Sequence, residues 1–185
     1  MDFGATPNPR NPIRILLVDD NVVYRAGLRA LLWKQGDLVV VGEAGTGEEA
    51  VACAKATRPH VVLMDLSMPG KGGVWAMRQL TALGVRASVL VLTALSQEWE
   101  LLEALEAGAR GFVEKGGPVE DLVQAIRTVT KGQLFLDADG AKLAVLLFER
   151  VDRGIAGIVE SDRALQRAPL YPWLHSLTSL ELTSA

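Results

Sequence analysis

Ile13-Arg14-Ile15-Leu16-Leu17-Val18-Asp19-Asp20 decides how this chain is read, because an apolar run of strand length ends abruptly in two adjacent carboxylates. Three later runs end in the same abrupt way. Val61-Val62-Leu63-Met64 leads into Asp65, Val89-Leu90-Val91-Leu92 into Thr93, and Gly111-Phe112-Val113-Glu114 into Lys115. If these runs are parallel strands, all five polar groups gather on one edge of one sheet. The carboxyl ends of strands, near a topological switch point, are where open parallel sheets bind ligands. A lone Asp after a strand is most often a cap or turn residue, and Asp20 before Asn21 could serve so. A lone Lys there is usually a solvated charge and a lone Thr a β-former; the coincidence of all five at successive strand ends is what points to a site.

Between the runs the apolar spacing is helical. Val22, Leu28, Leu31 and Leu32 mark a helix ending near Gly36; Leu38 to Val41 reads as a strand and Glu48 to Thr57 as a helix. A Pro69-Gly70 loop precedes a helix over about 73–83. Further helices are expected over 97–107, stopped by Gly108, and over 119–130. Five strand and helix pairs in strict alternation predict an α/β fold, a doubly wound five-stranded parallel sheet covered on both faces, since each crossover must pass over a face of the sheet. Gly45-Thr46-Gly47 lacks the spacing and the Lys of a phosphate-binding loop and reads as a turn.

Outside this repeat the signals change. Met1 to Pro12, with three prolines and no apolar segment, reads as a disordered leader. Beyond Lys131, Leu134-Phe135-Leu136 reads as a short extended piece. Leu143, Leu146, Leu147 and Val151 mark one helix and residues 155–166 a second, so that 132–185 is expected to be a helical extension. The net charge of -3 supplies no field for nucleic acid or anionic membrane. Lone Cys53 lies on a helix, reads as a small buried or half-buried thiol, and fits a reducing compartment. No apolar stretch has membrane-spanning length, and a cytoplasmic location is expected.

Asp19, Asp20 and Asp65 brought together would concentrate negative charge that only a cation relieves. Magnesium suits such a site, because it takes hard oxygen ligands and is commonly held by one or two carboxylates plus a phosphate. Lys115 can neutralise further anionic charge, and the Thr93 hydroxyl can donate to a phosphoryl oxygen. Asp65, alone on a central strand before a flexible loop, is the best candidate for a carboxylate nucleophile that forms an acyl phosphate.

Residues 13–131 resemble the receiver domain of two-component response regulators. The resemblance rests on Leu17-Val18-Asp19-Asp20, on Met64-Asp65-Leu66-Ser67-Met68-Pro69-Gly70 with Gly73, on Leu92-Thr93-Ala94, and on Gly108-Ala109-Arg110-Gly111-Phe112 followed by Lys115. It implies a flavodoxin-like (β/α)5 fold, phosphorylation of Asp65 by a sensor histidine kinase, and a magnesium site formed by Asp20 with Asp19, Asp65 and the Ser67 backbone carbonyl. It further implies that Thr93 and Ala94 bind the phosphoryl group and switch with Phe112, and that Lys115 is the phosphate partner. Leu101, Leu105 and Val123 are the interface candidates on the face that would respond. Gly116-Gly117 stand where many members have Pro after the Lys, while Ser67 and Leu95 occupy positions that tune phosphoryl lifetime.

The segment after Lys131 resembles the linker of response regulators that end in a LuxR-type helix-turn-helix, and Leu177-Thr178-Ser179-Leu180-Glu181 resembles that domain's opening, with Thr178 and Glu181 at capping-box spacing. Two readings are kept. One is a transcription regulator whose output domain, and with it any DNA contact, is absent here; the other is a stand-alone receiver acting through protein contacts, a second copy among them. Tyr171, Trp173, Leu174 and Leu177 would pack on something in either case. The rival from another class, a magnesium-dependent phosphatase of the haloacid dehalogenase type, needs an acid two residues after the nucleophile, and Ser67 is there instead. The expected protein is therefore a signalling module that acts on no external metabolite.

Overall fold

The apolar runs do form strands, and all of them pair in parallel. The computed structural model describes residues 11–94 and 98–136. The strands are β1 (Ile13–Val18), β2 (Leu38–Ala44), β3 (Val61–Asp65), β4 (Ser88–Thr93) and β5 (Ala109–Glu114), alternating with helices α1 (Val22–Trp33), α2 (Gly47–Thr57), α3 (Gly73–Ala82), α4 (Glu98–Glu106) and α5 (Val119–Thr130). Strand order is β2-β1-β3-β4-β5, the flavodoxin-like (β/α)5 arrangement. The chain runs outward from β1 to β2 and then crosses back to β3, so the direction of winding reverses between β1 and β3. A crevice opens at such a reversal, beyond the strand ends.

Every residue of β3 is buried, as expected of a strand covered on both faces. On one face Ile15, Leu17, Leu63, Leu90, Leu92 and Val113 pack with Leu28 and Leu32 of α1 and with Leu122, Val123, Ala125, Ile126 and Val129 of α5. Each such Leu, Ile or Val side chain contributes roughly 1.5–3 kcal/mol through burial. Alternate residues, among them Leu16, Val18, Val62, Met64, Val91 and Phe112, are buried too. They belong to the opposite face by the two-residue period of a strand, where α2, α3 and α4 pack against one another in sequence.

Two strands extend by two or more residues past an expected end. β2 continues through Gly42 to Ala44. A Cβ at Gly42 would lie 2.4 Å from Cys53 Sγ, so this glycine admits α2 to the sheet and does not end the strand. β5 begins at Ala109, two residues before the apolar run. The expected Gly45-Thr46-Gly47 turn leads into α2 and caps it: Thr46 Oγ1 accepts from Glu49 N at 3.2 Å, and Glu49 Oε2 accepts from Gly45 N, the residue before the cap, at 2.7 Å, a variant of the capping box in which the glutamate reaches one residue further back.

The extended piece expected at 134–136 lies along the free edge of β5. Phe135 forms a parallel bridge to Gly111, donating to Arg110 O at 2.9 Å and accepting from Phe112 N at 3.3 Å, and its ring packs on the α1/α5 core. The expectations for 1–10, for the helices beyond 141, and for Leu177 to Glu181 lie outside the described residues.

The three interface candidates differ in exposure. Leu105 and Val123 are 1% and 5% exposed, because each sits on the inward stripe of an amphipathic helix. Leu101 is half-buried. The apolar side chain that α4 does present to solvent is Trp99, 54% exposed.

Candidate functional site

β1, β3 and β5 each deliver one charged side chain at the carboxyl edge. Asp19, Asp65 and Lys115 share the strand parity of Leu17, Leu63 and Val113, so they continue, at the strand ends, the face that α1 covers. Asp19 is 1% exposed and Asp65 5%, whereas Asp20 is exposed. The three carboxylates each offer an oxygen, all within 4.8 Å of one another.

Local hydrogen bonds fix the acids. Asp19 Oδ1 accepts from Asn21 N at 2.8 Å, and Asp65 Oδ1 from Ser67 N at 3.1 Å, each carboxylate bracing the turn that leaves its strand. The cap of α1 is Asn21, whose side chain accepts from Tyr24 N at 3.0 Å. The capping alternative for Asp20 is thereby removed.

Lys115 reaches back over this cluster. Its amide donates to Thr93 O at 2.6 Å, which extends the β4–β5 pairing by one bond, and its ammonium stands 2.8 Å from Asp19 Oδ2 and 2.7 Å from Asp65 Oδ2. Burial, the largest single influence on this ammonium, works to lower its pKa. The hydrogen bonds and charges of Asp19 and Asp65 together outweigh it, and the pKa is raised above the ordinary lysine value. Apart from that ion pair, buried Asp19 Oδ2 has no hydrogen-bond donor among the described residues.

One ammonium against three carboxylates leaves the cluster short of positive charge. The ligand set is all oxygen, and buried Asp19 Oδ2 has only the Lys115 ammonium against it among the described residues, which suits a hard divalent cation such as magnesium. Thr93, buried at the end of β4, and Phe112, 4% exposed on β5, lie on the opposite face of the sheet from the α1/α5 core, on adjacent strands. Ala94 and the Ser67 side chain are exposed beside them at the edge.

Two residues of α1 belong to this site without having been singled out. The Arg25 guanidinium donates to the Asp19 main-chain oxygen and, from Nε, to Glu43 Oε2 at 3.2 Å, tying α1 to the ends of β1 and β2. The Tyr24 ring has Lys115 Nζ 5.3 Å from its centroid. Tyr24 could have been found in the sequence by its spacing, four residues before Leu28 and eight before Leu32 on the inward stripe.

Known proteins resemble this chain in sequence and fold. Residues 15–127 match the family model of the response regulator receiver domain. Response regulator UvrY of Escherichia coli O6:H1 is 37% identical over 157 residues, covering 83% of this chain and 71% of UvrY. Response regulator GacA of Pseudomonas aeruginosa is 34% identical over 169 residues, covering 91% of this chain and 79% of GacA. The crystal structure of a LuxR-family two-component response regulator from Aurantimonas sp. SI85-9A1 superposes with a TM-score of 0.67 at 36% identity, covering 76% of this chain and 99% of that one.

Proposed function

This chain belongs to the response regulator receiver domain family, and on that premise we propose that it accepts a phosphoryl group from a sensor histidine kinase on Asp65. An Asp65 carboxylate oxygen attacks phosphorus, a P–O bond forms, and the P–N bond to the kinase imidazole breaks. The observation that carries this reading is the Lys115 ammonium 2.7 Å from Asp65 Oδ2 and 2.8 Å from Asp19 Oδ2, a cation already set where phosphoryl charge would develop. Asp19, Asp20, Asp65 and the Ser67 backbone carbonyl would hold magnesium, which when bound supplies further positive charge to the phosphoryl oxygens.

In this reading residues 1–12 are a leader, 13–131 the receiver and 132–185 a linker and tail. Thr93 and Ala94 engage the phosphoryl oxygens, Phe112 follows Thr93, and the protein shifts between two packed states. The LuxR-family name of the superposed Aurantimonas protein supports an output in transcription, exerted on DNA through a helix-turn-helix domain, with a second copy of the receiver as a candidate partner. The setting is the cytoplasm.

The test is direct. With magnesium and acetyl phosphate, intact-mass spectra of the wild-type chain should show one added phosphoryl group, labile in base, and Asp65→Asn should show none. Equal labelling of the two proteins would remove Asp65 from this role.

A further inference from the structure

Tyr24 lies on the α1 stripe, packed against the apolar core but not buried in it. Leu28 and Leu32, one and two turns later, are buried among the strand residues; Tyr24 stays half-buried and sets its ring beside the strand ends, with Lys115 Nζ 5.3 Å from the centroid. The ammonium therefore has two carboxylates on one side and an aromatic face on another. Three nearby charges register on the phenol as well: burial raises its pKa first, Lys115 lowers it, and Asp19 and Asp65 raise it, for a net increase.

A lysine side chain has four flexible carbons and many rotamers. Its ion pair with Asp65 is made to the same carboxylate that the reaction converts into an acyl phosphate, so that contact changes as the reaction proceeds. The Tyr24 ring takes no part in that bond change. We propose that Tyr24 is a positioning residue for phosphoryl transfer, its ring face holding the Lys115 ammonium over Asp65 before and after the phosphoryl group arrives. This rests on Asp65 being the acceptor, and the wild-type labelling rate is the control that separates the two ideas.

An aromatic face within about 6 Å of an exposed or partly exposed cation corresponds to roughly a two- to fivefold effect on a rate that depends on it. Initial rates of labelling by acetyl phosphate and magnesium should fall by that factor in Tyr24→Leu, which keeps apolar bulk and removes the ring. Tyr24→Phe, which keeps the ring and removes the hydroxyl, should match wild type. Tyr24→Met, unbranched and also ringless, is the second variant should Leu disturb the fold, and it should slow like Leu. Proton spectra should show ring-current shifts of the Lys115 ε-methylene that persist in Tyr24→Phe and vanish in the ringless variants. A wild-type rate in both ringless variants, or a Tyr24→Phe variant as slow as they are, overturns the proposal while leaving Asp65 in place. A wild-type chain that takes no label removes the acceptor, and Tyr24's role with it.

Discussion

Lys115 Nζ stands 2.7 Å from Asp65 Oδ2, a contact made between the ends of β5 and β3, two strands kept apart by β4. The side chain must lean over the end of β4 to make it. That leaves the carboxylates of β1 and β3 dependent on a residue supplied from across the sheet.

Removing that ammonium strands two buried carboxylates. Lys115→Met should cost roughly 1–3 kcal/mol, the range for leaving buried groups unsatisfied, and the loss should shrink when magnesium is added, because a second cation takes over the neutralisation. The raised lysine pKa sets the sign of the pH dependence. The stabilisation is fully present below the unfolded-state lysine pKa, near 10.4, and is lost as pH rises through the higher folded value. Thermal melts of wild type and variant, with and without magnesium, check this. An identical deficit in both conditions would count against a shared role for lysine and cation.

The two neighbouring acids should separate. Asp20 is exposed, so Asp20→Ala should leave the melting temperature nearly unchanged while weakening magnesium binding by about tenfold or more, the loss seen on removing even outer partners of a metal. Asp19 is buried and braces Asn21 N, so Asp19→Ala should lower stability as well. Calorimetric magnesium titration beside thermal melts would resolve the pair.

Much of this site is legible along the chain because the strands are parallel: each apolar run places its next residue at the same edge, so Asp19, Asp65, Thr93 and Lys115 can be gathered without knowing a single distance. The inward faces of helices are harder. Leu105 and Val123 carry the same apolar character as a surface patch would, and only the rotation of α4 and α5 against the sheet turns them into the core. Gly42 reads as a strand end, although it is kept small for Cys53. Contacts between residues far apart in the chain, such as the bidentate pair of Asp37 and Arg127, leave no local pattern.

That pair braces α5 against the start of β2. Arg127 donates to both Asp37 oxygens, at 2.9 and 2.8 Å, and this hydrogen bonding, against a smaller opposing effect of burial, holds the Asp37 carboxyl below its ordinary pKa. A depressed carboxylate stabilises above its unfolded pKa, about 3.9, and the stabilisation is lost as pH falls through the folded value. Arg127→Gln should therefore cost about 1 kcal/mol near neutrality, in keeping with a partly exposed pair. Denaturation curves of the two proteins should converge below about pH 4.

Gly111 should tolerate no side chain. A Cβ there would stand 2.3 Å from Phe135 O and 3.1 Å from both Leu90 Cδ1 and Phe135 Cβ, so Gly111→Ala must push the 135 segment off the β5 edge. Roughly 1–3 kcal/mol of stability should be lost, as in other overpacked sites. Hydrogen exchange should speed up at the Phe112 and Phe135 amides, whose bonds join the two segments. Unchanged protection there would show that the edge accommodates the methyl group.

Thr93 and Phe112 give the most searching test, because they are buried on adjacent strands on the face of the sheet away from the α1/α5 core, while Asp65 faces the other side at its edge. A phosphoryl group can act on α4 and β5 only through something that reaches both places, and Thr93, at the end of β4 with its main-chain oxygen held by Lys115 N, is positioned to do so. Beryllofluoride on the acceptor carboxylate should shift the population toward a state in which Thr93 moves to it and Phe112 repacks, so amide protection over 98–131 should change in wild type. A ligand shifts such an equilibrium only by its differential affinity for the two states. Thr93→Ala deletes the hydroxyl that would supply that difference and leaves Asp65 and Lys115 intact, so the variant should still bind beryllofluoride, measured by fluorine resonance, while its exchange pattern stays that of the free protein. A full exchange response in Thr93→Ala would show that the signal crosses the sheet by another route.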